Sequence, residues 1–360
     1  MAEHHWLFSK NPGHDFTRQH LGKLSFYDTM RLIISMGKGS TNDEIMDYFD
    51  LDPDLIPSQS AFCQRRRQIS LSAFEYLFSE FSSSFLSTTD KFKDHCILAC
   101  DGCHVVYATN SDIIEDYNKP RLIDYKGYNH MHLNGFVDVI SKAFLDVVIQ
   151  PGQQPDEREA LHSMLDHFTP DDPQKYIITA DRGYKSYDLL FHCELKNLGY
   201  VFRVKSPSSP KSILSYYASE FPDDLEEFDV TIKRFFTDKA TNIMKSQSDV
   251  YRYINPSKNT PHFYELLRKK HSHLYFLQFR VVKIKTVENT YEYLITNLPF
   301  SFTLDDIQEC YHWRWGIEIS FRYLKHAAGL LYFHSKQPEF LKQEIYSRLI
   351  LYNFGIFIAN

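Results

Sequence analysis

A fifteen-residue segment near the C-terminus constrains this chain more than any other part of its sequence: Tyr311-His-Trp-Arg-Trp-Gly-Ile-Glu-Ile-Ser-Phe-Arg-Tyr-Leu-Lys325. Four polar residues lie at offsets 0, 3, 7 and 14, namely Tyr311, Arg314, Glu318 and Lys325. At about 100° per residue they fall within roughly a 60° arc of one helix, away from the apolar positions. The segment is therefore predicted to be a helix with one functional stripe. A solvated face of salt bridges would give the same pattern.

Two isolated aspartates upstream end apolar, strand-like runs. Asp101 follows Ile97 to Cys100 and precedes Gly102, while Asp181 follows Tyr176 to Ala180. A carboxylate at the end of a buried strand is costly unless something pairs with it. In α/β folds, strand ends are also where sites form. A helix-capping role would explain Asp181 equally well.

Three carboxylates, two at strand ends and one on a helix, would suit divalent cations. Oxygen ligands favour Mg²⁺, with Mn²⁺ as a substitute, and Mg²⁺ normally also takes substrate phosphate oxygens. Two such ions roughly 4 Å apart can activate a water or hydroxyl nucleophile and stabilise the leaving oxygen. We therefore expect Asp101, Asp181 and Glu318 to bind two Mg²⁺ ions and to be catalytic. Arg314 and Lys325 would then hold phosphates.

The order of elements predicts an α/β fold. Strand-like runs occur at 96–100, 104–108, 136–140, 144–149 and 176–180, with a helical pattern at 156–167 and another after Asp181. Strands interleaved with helices indicate a mixed core. The segment Ser206-Pro-Ser-Ser-Pro210 marks a boundary, and 275–285 and 291–295 are predicted strands beyond it. A helix is predicted to begin at Thr303.

The N-terminal part is predicted to be helical. A helix is expected at 24–36, and Thr41 with Glu44 gives a capping-box pattern for the next one. Pro57-Ser58 opens a third helix that contains Arg65, Arg66 and Arg67. Short helices ending in an arginine cluster suggest a helix-turn-helix DNA reader, although a plain helical bundle fits nearly as well. We predict DNA contacts for these three arginines.

The net charge of −6 conceals a strong local asymmetry. Residues 231–285 contain twelve Lys or Arg and three acids, and residues 220–229 contain six acids. A basic segment on an acidic protein can follow a phosphate backbone. A solvated loop region is the alternative explanation.

Cysteine spacing and hydropathy bear on whether the protein is a zinc protein, a secreted protein or a membrane protein. Cys96, Cys100, Cys103 and His104 could be compared with a zinc site, but alternating strand faces would point Cys96 and Cys103 apart. Buried reduced thiols are the favoured interpretation. No 18-residue apolar run and no signal peptide is present, so a cytoplasmic protein with no membrane association is expected.

The pattern Tyr-x2-Arg-x3-Glu-x6-Lys, after Asp-Gly and Asp-Arg-Gly-Tyr, resembles the DDE transposases of bacterial insertion sequences, of the insertion-sequence-four type. The resemblance includes Ile149-Gln-Pro-Gly152 with Glu157, Tyr293-Leu-Ile-Thr-Asn297 and Leu351-Tyr-Asn-Phe354. It covers most of the chain.

This resemblance implies an RNase H-like mixed-sheet core flanked by helices, with a β-rich insertion and an N-terminal helical domain. The predicted division is 1–93 for the helical, DNA-end-binding domain, 94–205 and 294–360 for the catalytic core, and 206–293 for the basic insertion. Asp101, Asp181 and Glu318 would be the metal-binding triad. Tyr311, Arg314 and Lys325 would bind phosphates at the transposon end, and Trp315 would stack on a flipped base.

The implied function is cut-and-paste DNA transposition. The protein would bind terminal inverted repeats as a homodimer, hydrolyse phosphodiesters and join 3′-OH ends to target double-stranded DNA, near the bacterial nucleoid. An inactive DNA-binding descendant and a metal-dependent nuclease without strand transfer are the alternatives.

Overall fold

The computed structural model describes residues 2–16, 24–83, 91–120, 127–222, 224–239, 241–255, 260–286 and 290–359. Asp223 and Lys258, which belong to the acidic and basic segments, lie outside these ranges. Within them, every helix is too short or too polar to cross a bilayer.

The N-terminal part is helical, as predicted. A 3-10 helix, Ala2–Phe8, precedes α1 (Phe26–Ser35), α2 (Thr41–Tyr48), α3 (Gln59–Gln68) and α4 (Leu71–Ser83). The predicted cap of α2 is wrong by one residue: Ser40 is the N-cap, and its capping-box partner is Asp43. Glu44 instead accepts backbone N–H groups of Gly37 and Gly39, at 2.7 and 2.6 Å, and so holds the α1–α2 turn.

Ten strands of the described chain form one sheet. They are β1 (Cys96–Tyr107), β2 (Tyr117–Asn118), β3 (Tyr128–Asp138), β4 (Phe144–Pro151), β5 (Tyr176–Ala180), β6 (Gly199–Val204), β7 (Phe228–Thr237), β8 (Tyr251–Tyr253), β9 (Leu274–Lys285) and β10 (Tyr291–Thr296). Strand β1 is one continuous strand where the sequence predicted two.

The order of the central strands is β4-β3-β1-β5-β6. Strands β4, β3 and β1 run antiparallel, whereas β1, β5 and β6 run parallel. A three-stranded antiparallel unit followed by two parallel strands is the arrangement of an RNase H-like fold. Strands β10, β9, β7 and β8 extend the same sheet beyond β6, so the predicted β-rich region joins the core sheet directly.

Helices cover both faces of the sheet. They are α5 (Glu157–His167), α6 (Tyr187–Leu195), α7 (Asn242–Ser246), α8 (Pro261–Lys269), α9 (Leu304–His312), α10 (Gly316–His326) and α11 (Pro338–Ala359). Alternate residues of β1 enter two hydrophobic clusters. Ile97 and Ala99 pack with the N-terminal helices, α9, α10 and α11, whereas Leu98 and Cys100 pack with α5, α6 and α8, because successive strand residues face opposite sides.

Helix α11 buries a charged residue of α3. The Arg66 guanidinium lies 2.8 Å from a carboxylate oxygen of Glu344 and donates to Gln343 at 2.9 Å and to the Phe340 carbonyl at 2.7 Å. Arg66 is 2% exposed. In this structure it binds α11, so it is not available for the DNA contact predicted from the sequence, whereas Arg67 is exposed and Arg65 partly so.

Within the described ranges, three of the twelve basic residues of 231–285 form ion pairs with the acidic segment 220–229. Arg234 forms an ion pair with Glu220, and Arg280 one with Asp229. Lys285 lies 2.8 Å from Glu226. Arg234 and Arg280 are buried, so these two charges hold the sheet extension together and are not available to follow DNA.

Candidate active site

Asp101 and Asp181 lie side by side at one edge of the core sheet. Strands β1 and β5 are parallel, with Cys100 opposite Ala180, and each aspartate is the next residue. Neighbouring strands are about 4.8 Å apart. By alternation both side chains face the α9–α10 layer, since Cys100 and Ala180 belong to the opposite cluster. Asp181 also caps the short 3-10 helix Arg182–Tyr184, so the capping explanation holds as well.

The segment that carries Glu318 is not one uninterrupted α-helix. Helix α9 ends at His312, a 3-10 turn covers Trp313–Trp315, and α10 begins at Gly316. Tyr311 and Arg314 are therefore buried, at 3% exposure each, whereas Glu318 is exposed. The stripe predicted from helical spacing is thus divided between a buried part and a solvent-facing part.

Arg314 connects two of the predicted triad residues. Its guanidinium nitrogens lie 3.5 Å from an Asp101 oxygen and 3.4 Å from a Glu318 oxygen. Burial acts to lower the pKa of Arg314, but Tyr311, Asp101 and Asp181 outweigh it, and the pKa lies above its ordinary value. All three triad carboxylates therefore act on one cationic side chain.

The environment of Asp101 disfavours its charged form. Burial raises its pKa most, and Glu157 and Glu318 raise it further, against the opposing effects of the Gly102 N–H and Arg314. A carboxylate in this state gains from any additional positive charge.

Glu157 approaches the same edge from the opposite layer. It is the first residue of α5, and its Oε1 lies 3.2 Å from His132 Nε2. A Cβ added to Gly102 would lie 2.3 Å from His132 Nε2 and 2.9 Å from Glu157 Oε1, so the glycine after Asp101 leaves room for both side chains. The sequence pattern includes Glu157 but did not predict that its side chain lies at this site.

Lys325 and Trp315 flank the carboxylates. Lys325 lies beside Cys103 on β1; burial raises the pKa of this thiol to about 11, and Lys325 opposes the shift. Trp315 is 49% exposed, and the Arg314 guanidinium carbon lies 5.1 Å from its ring centroid. A cation and an exposed ring therefore adjoin the acidic edge.

The donor set fits a hard divalent cation. Asp101, Asp181 and Glu318 offer carboxylate oxygens, as Mg²⁺ prefers, and the buried positive charge of Arg314 lies among them. The three carboxylates, however, do not all lie within 4.8 Å of one another. Among the described residues, only a group of three histidines meets that distance. Cation binding by the triad would therefore involve rearrangement around Arg314.

The fold and this edge define an RNase H-like protein with an acidic site where β5 ends, beside the middle of β1, in which Asp101 lies. Residues 92–354 match the family described as the transposase DDE domain. Because the match spans more than half of the chain, the protein belongs to this transposase family.

No curated protein matches the chain. A solved structure, the cryo-EM structure of a piggyBac transposase synaptic complex with hairpin DNA, aligns with a TM-score of 0.46 and 10% identity. The alignment covers 93% of this chain and 64% of that chain.

Proposed function

We propose that this chain is an active DNA transposase of the insertion-sequence-four type. It binds inverted-repeat ends of a mobile element, hydrolyses phosphodiesters there and joins the 3′-OH ends to target DNA. The observation that carries this proposal is the placement of Asp101 and Asp181 at neighbouring strands beside Arg314, whose guanidinium contacts Asp101 and Glu318.

In this proposal, Asp101, Asp181 and Glu318 bind two Mg²⁺ ions, for which Mn²⁺ can substitute. When bound, such ions supply Lewis-acid stabilisation of the charge that develops on a phosphodiester. Arg314 orients Asp101 and Glu318 and limits the repulsion between them. Lys325 holds a phosphate of the DNA end, and Tyr311 supports Arg314. Trp315 offers a stacking surface for an unpaired base.

The proposed partners are double-stranded DNA and a second copy of this chain in a synaptic homodimer. Residues 1–93 would contribute end binding through Arg65 and Arg67, and residues 206–293 would act as the insertion between 94–205 and 294–360. We place this activity in the bacterial cytoplasm, at the nucleoid.

Strand transfer separates a transposase from the two alternatives. Pre-cleaved, labelled transposon ends incubated with a target plasmid and Mg²⁺ should give joined products. Cleavage without joining would identify a nuclease. End binding without either reaction would identify an inactive descendant, and both results would overturn the proposal.

Lys325→Ala should weaken DNA-end binding and flatten its salt dependence. Loss of one phosphate contact reduces the slope of log affinity against log salt by about 0.9. Fluorescence anisotropy across a salt series measures the slope. Lys175→Ala is the matched control, because Lys175 precedes β5 at the opposite end of that strand and is exposed. Equal slopes for Lys325→Ala and the wild type would exclude the phosphate role.

Glu157→Gln should slow cleavage by roughly 10-fold or more, the usual effect of removing a residue that supports metal ligands. The physical reason is that the Glu157 carboxylate adds negative charge beside Asp101, whose pKa it raises, and so strengthens the attraction of this edge for a cation. Cleavage should be measured over a range of Mg²⁺ concentrations. Glu159→Gln, exposed on the same helix, should behave as the wild type. If both variants cleave alike, Glu157 has no part in the site.

A further inference from the structure

Three histidines from separate helices stack against one another away from the acidic edge. His162 lies on α5, His192 on α6 and His262 on α8. The His192 and His262 ring centroids are 3.8 Å apart and those of His162 and His262 are 4.4 Å apart, with the rings inclined by 11° in both pairs. One ligand nitrogen of each lies within 4.8 Å of the other two. The stack joins the core helices to a helix of the 206–293 segment.

Two aspartates contact the outer nitrogens of this stack. His192 Nε2 lies 3.1 Å from Asp166 Oδ1. Asp188 Oδ2 lies 2.7 Å from His262 Nδ1 and 3.6 Å from His162 Nε2. The contact between Asp188 and His262 Nδ1 is a hydrogen bond, which holds a proton on Nδ1 and leaves His262 Nε2 with a lone pair.

The inner nitrogens of two rings then face each other. His162 Nδ1 and His192 Nδ1 are 2.9 Å apart, a distance at which two lone pairs repel unless a proton or a cation lies between them.

We propose that His162, His192 and His262 form a structural transition-metal site, with Zn²⁺ as the ion that best fits its ligands. Neutral imidazoles supported by carboxylates are a common zinc environment. Nitrogen ligands at about 2.0–2.1 Å from a tetrahedral Zn²⁺ lie about 3.4 Å from one another. Because imidazole lone pairs lie in the ring planes, the stacked rings would turn on binding so that these lone pairs converge on the ion. A water molecule would complete the coordination.

An ion could reach the three histidines from solvent, and its binding would link three helices. His162 and His262 side chains are 12% and 13% exposed, so solvent reaches the stack. Asp188 Oδ1 also accepts the backbone N–H groups of His262 and Phe263, at 3.0 and 3.1 Å, at the start of α8. A bound ion would therefore fasten α8 to α5 and α6, independently of the acidic site.

Zinc binding by the full chain tests this inference. The Asp181→Asn variant, which weakens the acidic site, should be dialysed against micromolar Zn²⁺ and its metal content measured by mass spectrometry. We expect a single tightly bound ion per chain, a higher Tm with Zn²⁺ than with a chelator, and tetrahedral visible absorption with Co²⁺. Absence of bound zinc in this folded protein would overturn the proposal.

Variants locate the ion. In the same background, His162→Gln with His262→Gln should abolish tight zinc binding, and His167→Gln, on the same helix but outside the stack, should retain it. If the double variant does not fold, Asp166→Asn decides, because it keeps all three ligands and should weaken affinity by about 10-fold. Zinc retained at wild-type affinity in the variants of the stack or of Asp166 would refute the assignment.

Discussion

Asp101→Asn, Asp181→Asn and Glu318→Gln should each abolish DNA cleavage and leave end binding largely intact. Each substitution removes one negative charge from the proposed cation site but keeps the size of the side chain. Loss of several kcal/mol of charge stabilisation corresponds to a rate lower by about 10³-fold or more. End binding depends on cationic side chains elsewhere and should change little.

Cleavage of a labelled transposon-end duplex in Mg²⁺ and in Mn²⁺, alongside a gel-shift titration, measures both properties. Asp172→Asn is the control, because Asp172 precedes β5 at the end of that strand away from Asp181 and is half-exposed. A triad variant that cleaves at nearly the wild-type rate would remove that residue from the catalytic assignment.

Arg66→Ala should destabilise the protein by about 3–5 kcal/mol. The substitution leaves Glu344, which is 1% exposed, as a buried charge without its guanidinium partner, and breaking such a pair carries this cost. It also removes the hydrogen bonds that Arg66 donates to Gln343 and the Phe340 carbonyl. Thermal unfolding should show a Tm lower by roughly 5 °C.

Arg67→Ala is the matched control, because Arg67 is the next residue of α3 and is exposed. Its Tm should stay near that of the wild type, since surface substitutions change stability by about 0.5 kcal/mol or less. A variant with Glu344→Leu added to Arg66→Met should recover stability by removing both charges. If Arg66→Ala kept its Tm and lost only DNA affinity, Arg66 would be a DNA contact as first predicted.

Much of the fold was predictable because its signals are local. Strand-like apolar runs predicted β4, β5 and only the last three residues of β3. Helical periodicity predicted α1 and α5, and Ser58 marks the start of α3. Where two local patterns overlapped, the predicted helix cap was wrong by one residue: Ser40 with Asp43 forms the capping box that the sequence predicted for Thr41 with Glu44. Strand β1 continues through Gly102 because β3 pairs along its whole length, which no local pattern encodes.

In the candidate site, too, some features could be predicted from local sequence and others could not. Asp181 was identifiable from a strand end, Asp101 from the end of an apolar run that lies within β1, and Glu318 from the spacing of one motif. The burial of Arg314 between Asp101 and Glu318, and the approach of Glu157, depend on how two helical layers meet the sheet.

The sequence by itself determined the α/β class, the three acidic residues and the family-like motif, because periodicity and spacing lie in consecutive residues. Only the tertiary structure decided which charged side chains are buried or paired within the protein and which are free to bind a partner. It buried Arg66 against Glu344, paired Arg280 with Asp229 and brought together three histidines from separate helices. Burial and partners come from contacts between residues distant in the chain, and these contacts set the electrostatics of each side chain.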